Sequence, residues 1–66
     1  MRVKVNGKAV EVKENTSLWD FVLTYRAQPE GLIAELNQSV VKRDVWTETV
    51  LTDGDQLELV SLVGGG

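Results

Sequence analysis

Cysteine and histidine are both missing from this sequence of 66 residues. Without cysteine the chain forms no disulfide and has no thiolate nucleophile, and without either residue it lacks the most common ligands of a zinc site. The usual pairs of nucleophile and base in hydrolases also depend on one of these side chains. We therefore expect no metal site and no bound cofactor, and we predict that the chain is not an enzyme.

Long apolar runs and an excess of positive charge are missing as well. No stretch approaches the roughly 20 apolar residues that span a bilayer, and there is no signal-peptide pattern. Ten acidic and seven basic residues give a net charge of −3, whereas a surface that binds nucleic acid is normally basic. These features favour a cytoplasmic module that binds neither membrane nor nucleic acid.

Alternating side chains open the chain. Apolar and polar residues alternate over residues 2–6 and again over residues 8–13, which is the period of a half-buried strand. Asn6-Gly7 lies between these segments and suits a two-residue turn, because both residues accept positive φ. The pattern predicts an antiparallel hairpin whose inner face carries Val3, Val5, Val10 and Val12.

A helical period follows the hairpin. Apolar residues recur at the spacing of one helical face at Leu18, Phe21, Val22 and Tyr25. Thr16 or Ser17 is suited to cap the first turn, while Pro29 and Gly31 are expected to stop the helix. The spacing predicts a helix over about residues 17–27.

The second half of the chain has the pattern of short strands and turns. We predict a strand at residues 32–36, a turn at 37–39, a short strand at 40–41, a helical turn near 43–46, a tight turn at 53–55 and a last strand at 56–63. One helix then covers one face of a mixed sheet, and the first and last strands can pair in parallel because a long crossover joins them. This order predicts a β-grasp fold, an α+β sheet of four to five strands with one main helix.

The sequence ends in Gly64-Gly65-Gly66, directly after an apolar strand. We expect a β-grasp domain over residues 1–63 and a flexible tail over residues 64–66, because glycine loses much backbone freedom on ordering. In the last strand, alternation places Val60 and Leu62 on the outer face of the sheet. Either that face is covered or the strand bulges, or these residues form an exposed patch that docks a partner beside the tail. We favour docking.

Taken together, these features resemble the sulfur carrier family of thiamine biosynthesis, and the resemblance covers the whole chain. They are the β-grasp order, the segment Asn37…Val41-Lys42-Arg43…Trp46, the turn Asp53-Gly54-Asp55 and the terminal glycines. One position departs from the family pattern. The loop around Arg43 often contains Val-Pro-Arg in this family, and here Lys42 replaces the proline.

The resemblance implies that Gly66 is the functional residue. An ATP-dependent activating enzyme would adenylate its carboxylate, and sulfur from a persulfide-bearing cysteine desulfurase or an equivalent donor would convert the adenylate to a thiocarboxylate. The thiocarboxylate would then give its sulfur to thiazole synthase. Gly64 and Gly65 would form the arm that enters both enzymes. Since two glycines are the common minimum, Gly66 is either activated or removed first, and we favour activation.

Other interpretations remain open at this point. A carrier for molybdopterin, cysteine or tRNA thiolation would use the same tail with another acceptor, and a ubiquitin-like modifier or an interaction domain is a further alternative. We interpret Asp53 and Asp55 as a structural turn rather than a metal site, and Trp46 as part of the core. The sequence does not decide whether Trp19 packs against the sheet edge or lies at an interface.

Overall fold

Five strands, one α-helix and one 3-10 helix form the part of the chain that the structure, a computed structural model, describes; these are residues 1–25 and 29–62. In chain order the elements are β1 (Arg2–Val5), β2 (Lys8–Glu11), α1 (Leu18–Tyr25), β3 (Leu32–Leu36), β4 (Ser39–Val41), the 3-10 helix (Arg43–Glu48) and β5 (Gln56–Ser61). Each predicted element is therefore present, but β2 ends at Glu11 rather than at residue 13, and β5 ends at Ser61, so Leu62 lies just past the strand. The expected end of the helix, at residues 26–27, lies outside the described residues.

The strands form one sheet in the order β2-β1-β5-β3-β4. β1 and β5 pair in parallel, whereas the other neighbours are antiparallel. The parallel pair is possible because α1, β3, β4 and the 3-10 helix lie between β1 and β5 in the chain and supply the crossover. This topology confirms the predicted β-grasp arrangement and places the last strand in the centre of the sheet.

Two tight turns set the register of the antiparallel pairs. Asn6 and Gly7 have φ of 51° and 83°, and Asn37 and Gln38 have φ of 52° and 72°. Successive positive φ values match the right-handed twist of the flanking strands, so each turn closes a hairpin without splaying it. The second hairpin was predicted, but β4 begins at Ser39, one residue earlier than expected.

Helix α1 covers one face of the sheet. Its first turn is capped because the Asp20 amide donates to Ser17 Oγ at 3.0 Å. Leu18, Phe21 and Val22 are buried as predicted. Tyr25 continues the same face but is 39% exposed, and its ring stacks on Phe21 with centroids 5.3 Å apart. It is the last residue of α1, so it lies at the border of the core rather than inside it.

Trp46 is the largest fully buried side chain of the described core. The 3-10 helix carries it beneath α1, and the indole N–H donates to the Val41 carbonyl oxygen at 2.9 Å. A buried indole needs such a partner, because an unpaired N–H in the core would be costly. The prediction that Trp46 belongs to the core is therefore confirmed. No helix among the described residues is long and apolar enough to cross a membrane.

Candidate functional site

β5 brings the chain from the centre of the sheet towards the glycine tail. It pairs with β1 only at Gln56 and Leu57, whereas its pairing with β3 continues to Ser61. The tail predicted at residues 64–66, together with Val63, lies outside the described residues. The part of the site that the structure describes is therefore the end of β5, which leads into the tail.

The outer face of β5 is apolar and exposed at this end. Val60 is 51% exposed and Leu62 is 67% exposed. The register between β3 and β5 is unbroken from Leu36 opposite Leu57 to Leu32 opposite Ser61, so the strand has no bulge there. A bulge therefore does not explain the outward side chain of Val60, and both side chains are exposed among the described residues. The docking role of Val60 and Leu62 stays a prediction.

Two further apolar residues extend this surface. Ile33 lies directly opposite Val60 on β3, and Val40, on the next strand, is 64% exposed. Val40 faces outward because its neighbour Val41 packs against the core. We name Ile33, Val40, Val60 and Leu62 the outer apolar patch. The sequence did not indicate Ile33 and Val40, because their place on this face depends on pairing between distant segments.

Two acids adjoin the outer apolar patch. Glu35 lies directly opposite Glu58 in the register of β3 and β5, and both side chains are exposed. Glu58 precedes Val60 by two residues on the same face of β5, and Glu35 follows Ile33 in the same way on β3. The outer face of the sheet is thus apolar near the tail, at Ile33 and Val60, and has an acidic half further along the strands, where Val40 lies opposite Glu35.

A hydrogen bond ties the base of the tail to β3. The Leu62 amide donates to the Gly31 carbonyl oxygen at 2.7 Å. Gly31 has φ of 77°, a conformation that favours glycine, so the turn before β3 and the last described residue of the chain fit together. This bond holds Leu62 beside the turn that precedes β3.

Arg43 connects this turn to the helical side of the molecule. Its guanidinium lies 3.8 Å from the Glu30 carboxylate and 5.8 Å from the centre of the Trp19 ring. Trp19 is half-buried, with its ring 6.4 Å from Trp46. Trp19 therefore packs at the border of the core and carries Arg43 above it. An ion pair this exposed contributes little to stability, typically below about 1 kcal/mol.

The start of β5 is held by the carboxylate of Asp55, which is 8% exposed. It accepts hydrogen bonds from Asn37 Nδ2 at 3.0 Å, the Thr52 amide at 2.8 Å and Thr52 Oγ1 at 3.0 Å. Burial alone would raise the pKa of Asp55, but these bonds to the ionised form outweigh burial and hold its pKa below the ordinary value. Asp53 Oδ1 accepts from the Arg2 amide at 2.7 Å. Both acids thus act in the turn, as interpreted from the sequence.

Two asparagines of the turns also bind β5 with their side chains. Asn6 Oδ1 accepts from the Leu59 amide at 2.8 Å, and Asn6 Nδ2 donates to the Leu59 carbonyl oxygen at 3.3 Å. Asn37 Oδ1 accepts from the Gln56 amide at 3.0 Å. The sequence indicated both asparagines as turn residues only, because a local pattern does not show which distant strand a side chain will reach.

A groove of about 490 Å³ lies on the other side of the molecule, between β2 and α1. Its apolar lining consists of Val10, Val12, Phe21 and Tyr25, and no residue of β5 takes part. The groove is therefore separate from the surface that leads into the tail.

Comparison with known proteins connects this geometry to a family. The model of the ThiS family matches residues 3–66, nearly the whole chain. The chain belongs to the ThiS family. The resemblance to the sulfur carrier family of thiamine biosynthesis, stated from the sequence, is thereby confirmed. ThiS proteins are carriers rather than catalysts, so membership also confirms the prediction that the chain is not an enzyme.

Individual ThiS relatives agree with this assignment. The chain is 32% identical to the sulfur carrier protein ThiS of Bacillus subtilis over 65 residues, covering 97% of this chain and 98% of that protein. The crystal structure of the thiamine biosynthesis protein ThiS from Geobacter metallireducens superposes with a TM-score of 0.85 at 33% identity, covering 100% of both chains. The β-grasp fold of this ThiS-family chain is thus confirmed by a solved structure.

A third ThiS-like match lies within a longer protein. The chain is 32% identical over 66 residues to a part of the thiazole synthase of Magnetococcus marinus. The match covers 100% of this chain but only 20% of that protein. A segment that resembles a ThiS carrier therefore occurs there in one polypeptide with the rest of a protein named thiazole synthase.

Proposed function

We propose that this chain carries sulfur for thiamine biosynthesis as a thiocarboxylate on Gly66. The observation that carries the proposal is the match to the ThiS family, which extends through the terminal glycines to residue 66. The same match supports thiamine biosynthesis over carriers for molybdopterin, cysteine or tRNA thiolation. A modifier that forms isopeptide bonds is likewise less well supported.

The chemistry needs a carboxylate that is first activated and then replaced. A terminal carboxyl has a pKa of roughly 3.3–3.7, so it is ionised near neutral pH and can attack the α-phosphate of ATP with release of pyrophosphate. A donor persulfide then attacks the acyl carbon, and AMP leaves. A second thiol cleaves the S–S bond, is left in a disulfide with the donor, and releases the thiocarboxylate. The thiocarboxylate is the form that gives sulfur to thiazole synthase.

The glycine arm suits delivery into a closed active site. Gly64, Gly65 and Gly66 carry no Cβ, and three extended residues reach about 10 Å. Ordering such an arm costs roughly 1–2 kcal/mol per residue. Docking of the folded domain has to offset that cost, and Val60 and Leu62 provide apolar area beside the arm for this purpose. We assign them to the docking surface on that ground.

Three partners follow from this proposal. An ATP-dependent adenylyltransferase activates Gly66, a persulfide-bearing cysteine desulfurase or an equivalent protein supplies sulfur, and thiazole synthase accepts it. The Magnetococcus marinus protein supports the last pairing, because a segment similar to this chain lies there within a thiazole synthase. All three act on the same short tail, so they bind in turn rather than together.

Intact mass spectrometry tests the carrier function. After incubation with the activating enzyme, ATP and a sulfur donor, the chain should gain the mass difference between sulfur and oxygen, and fragmentation should place the gain on Gly66. A chain lacking Gly65 and Gly66 should stay folded and remain unmodified. An unchanged mass, with the same enzyme active on a control carrier, would overturn the proposal. A gain located after loss of Gly66 would show that the tail is trimmed first.

A matched pair of variants tests docking. Val60 and Val50 are each 51% exposed, but Val60 lies in the outer apolar patch and Val50 lies beside Ser17, before α1. We expect Val60→Asp and Leu62→Asp to weaken binding to the activating enzyme, whereas Val50→Asp should bind as the unaltered chain does. Circular dichroism checks that each variant is folded. Equal losses for Val60→Asp and Val50→Asp would contradict the docking assignment.

A further inference from the structure

The acidic half of the outer face has an unfavourable arrangement in the free protein. Glu35 and Glu58 lie directly opposite each other on β3 and β5, where Cβ atoms are about 5 Å apart. Like charges in this position destabilise a sheet. Within residues 1–25 and 29–62, no lysine or arginine lies at ion-pairing distance from either carboxylate. Among the described residues, the repulsion between these acids is therefore uncompensated.

Two basic residues of the described chain, Lys4 and Lys42, lie on either side of the pair without neutralising it. Lys4 lies beside Gln56 in the register of β1 and β5, two residues from Glu58. Lys42 follows β4 in an extended conformation, two residues after Val40. Both lysines are exposed, and neither makes an ion pair within the part of the chain that the structure describes. The two acids thus form an unpaired negative centre between two separate positive charges.

Docking through the outer apolar patch would worsen this arrangement unless the partner supplied a cation. Ile33 and Val60 lie next to Glu35 and Glu58 on the same strands, so a partner that covers the former also removes water from the latter. Desolvated carboxylates are costly unless they are paired and hydrogen-bonded. An arginine suits two carboxylates well, because its planar guanidinium presents five donors in a fixed fork.

We propose that Glu35 and Glu58 together receive an arginine side chain of the ATP-dependent activating enzyme when that enzyme docks on the outer apolar patch. This inference rests on the proposed function, because it requires delivery of the tail to that enzyme. The net charge of the chain favours the activating enzyme as the partner that supplies this arginine. An enzyme that binds the polyphosphate of ATP has a positive potential around its pocket, and a carrier with a net charge of −3 is drawn towards it.

Substituting Glu35 and Glu58 together tests their role in binding. Glu35→Gln with Glu58→Gln removes two charges from the outer face. Glu14→Gln with Glu48→Gln removes two exposed charges elsewhere, one from the turn before α1 and one from the end of the 3-10 helix. Both variants therefore have the same net charge. Isothermal titration with the activating enzyme at low salt should give about tenfold or greater weakening for the first variant and roughly twofold for the second. Added salt should weaken binding of the unaltered chain more than binding of the first variant.

A single charge reversal, Glu35→Lys, separates weaker binding from loss of the fold. Glu35→Lys should form a favourable cross-strand pair with Glu58, so the free variant should melt at the same temperature as the unaltered chain or above it. Its binding should be weaker than that of the double glutamine variant, because a lysine then faces the partner's cation. A folded Glu35→Lys variant that binds with unchanged affinity would overturn the inference.

The remaining outcomes separate this inference from the proposed function. If the glutamine variant and its control lose equal affinity while Gly66 still gains sulfur, the carrier function stands and the role of Glu35 and Glu58 is wrong. A loss of binding confined to thiazole synthase would overturn the assignment to the activating enzyme. If the unaltered chain gains no sulfur under conditions that convert a control carrier, the proposed function itself fails.

Discussion

The two ends of β5 lie in different surroundings although one short strand joins them. At the start, the Asp55 carboxylate accepts bonds from Asn37 and Thr52, and the Lys4 amide donates to the Asp55 carbonyl oxygen at 2.9 Å. At the far end, Val60 and Leu62 point away from the core, and the Leu62 amide donates to Gly31. One end is therefore fixed by polar contacts from several segments, whereas the other presents apolar side chains.

This difference shows how a small carrier combines a strand fixed at one end with exposed apolar side chains at the other. Residues 56–59 are held by β1, β3 and the side chains of Asn6 and Asn37, so the strand that precedes the tail is fixed in the sheet. Val60 and Ser61 pair with β3, and the Leu62 amide donates to Gly31 just before that strand. Fixing one end of β5 lets the other end offer a contact surface without loss of the fold.

The largest effect on stability should come from a leucine-to-alanine substitution, compared between the start of β5 and the residue just past its far end. Leu57 is 1% exposed and Leu62 is 67% exposed. Leu57→Ala should lower the free energy of unfolding by about 2–5 kcal/mol because it leaves a cavity in the core. Leu62→Ala should change it by less than about 0.5 kcal/mol. Urea denaturation measures both values, and similar losses would show that Leu62 is packed in the folded chain.

The next largest effect is expected at the Asp55 carboxylate. Asp55→Asn places an N–H₂ group where the Thr52 amide now donates, so one partly buried donor loses its acceptor. The loss should be about 1–3 kcal/mol, and each kcal/mol lowers Tm by about 4–8 °C in a domain of this size. Asp53→Asn is the control, since its exposed side chain keeps an oxygen for the Arg2 amide. Equal melting temperatures for both variants would contradict the structural role of Asp55.

A smaller loss should follow removal of the Asn6 side chain. Asn6→Gly keeps the positive φ of the turn but deletes both bonds to Leu59, and should cost about 1 kcal/mol. Asn15→Gly controls for the added freedom of glycine, because Asn15 also has positive φ, 64°. Its side chain makes no hydrogen bond to the described residues. Thermal melting compares the two variants, and equal losses would mean that the bonds to Leu59 contribute nothing.

The smallest effect is the part of the acid dependence of stability that comes from the Asp55 carboxyl. The pKa of Asp55 lies below its ordinary value of 3.8 in the folded chain, so the ionised form stabilises the fold. This contribution is complete above the ordinary pKa and is lost as pH falls through the folded pKa. Urea midpoints measured from pH 6 to pH 2 should fall more for the unaltered chain than for Asp55→Asn. Parallel profiles would contradict the lowered pKa.

Much of the fold could be predicted from local patterns. Asn6-Gly7 predicted the first hairpin, the spacing of Leu18, Phe21 and Val22 predicted α1, and alternation in the last strand placed Val60 and Leu62 outward. Each of these features depends on neighbours in the chain, because side chains repeat every two residues in a strand and about every 3.6 in a helix. The exposed fraction of Tyr25 could not be predicted in this way, since it depends on where the core ends.

The outer apolar patch could be predicted only in part. Ile33 and Val40 join Val60 because β3 lies between β5 and β4, and no local pattern indicates this neighbourhood. The opposition of Glu35 and Glu58 depends on the same register. Asn6 and Asn37 were identified as turn residues, but their bonds to β5 follow from the way both turns approach that strand. Such contacts depend on pairing between distant segments.

The sequence by itself determined which side chains alternate, where the chain turns, and that a glycine tail follows an apolar strand in a protein without cysteine or histidine. The tertiary structure decided that Val60 and Leu62 are exposed, that Ile33 lies opposite Val60, and that Glu35 lies between Glu58 and Val40. The physical reason is the range of each effect. Backbone propensities and side-chain periods act over a few residues, whereas strand register is set by the burial of all core residues together.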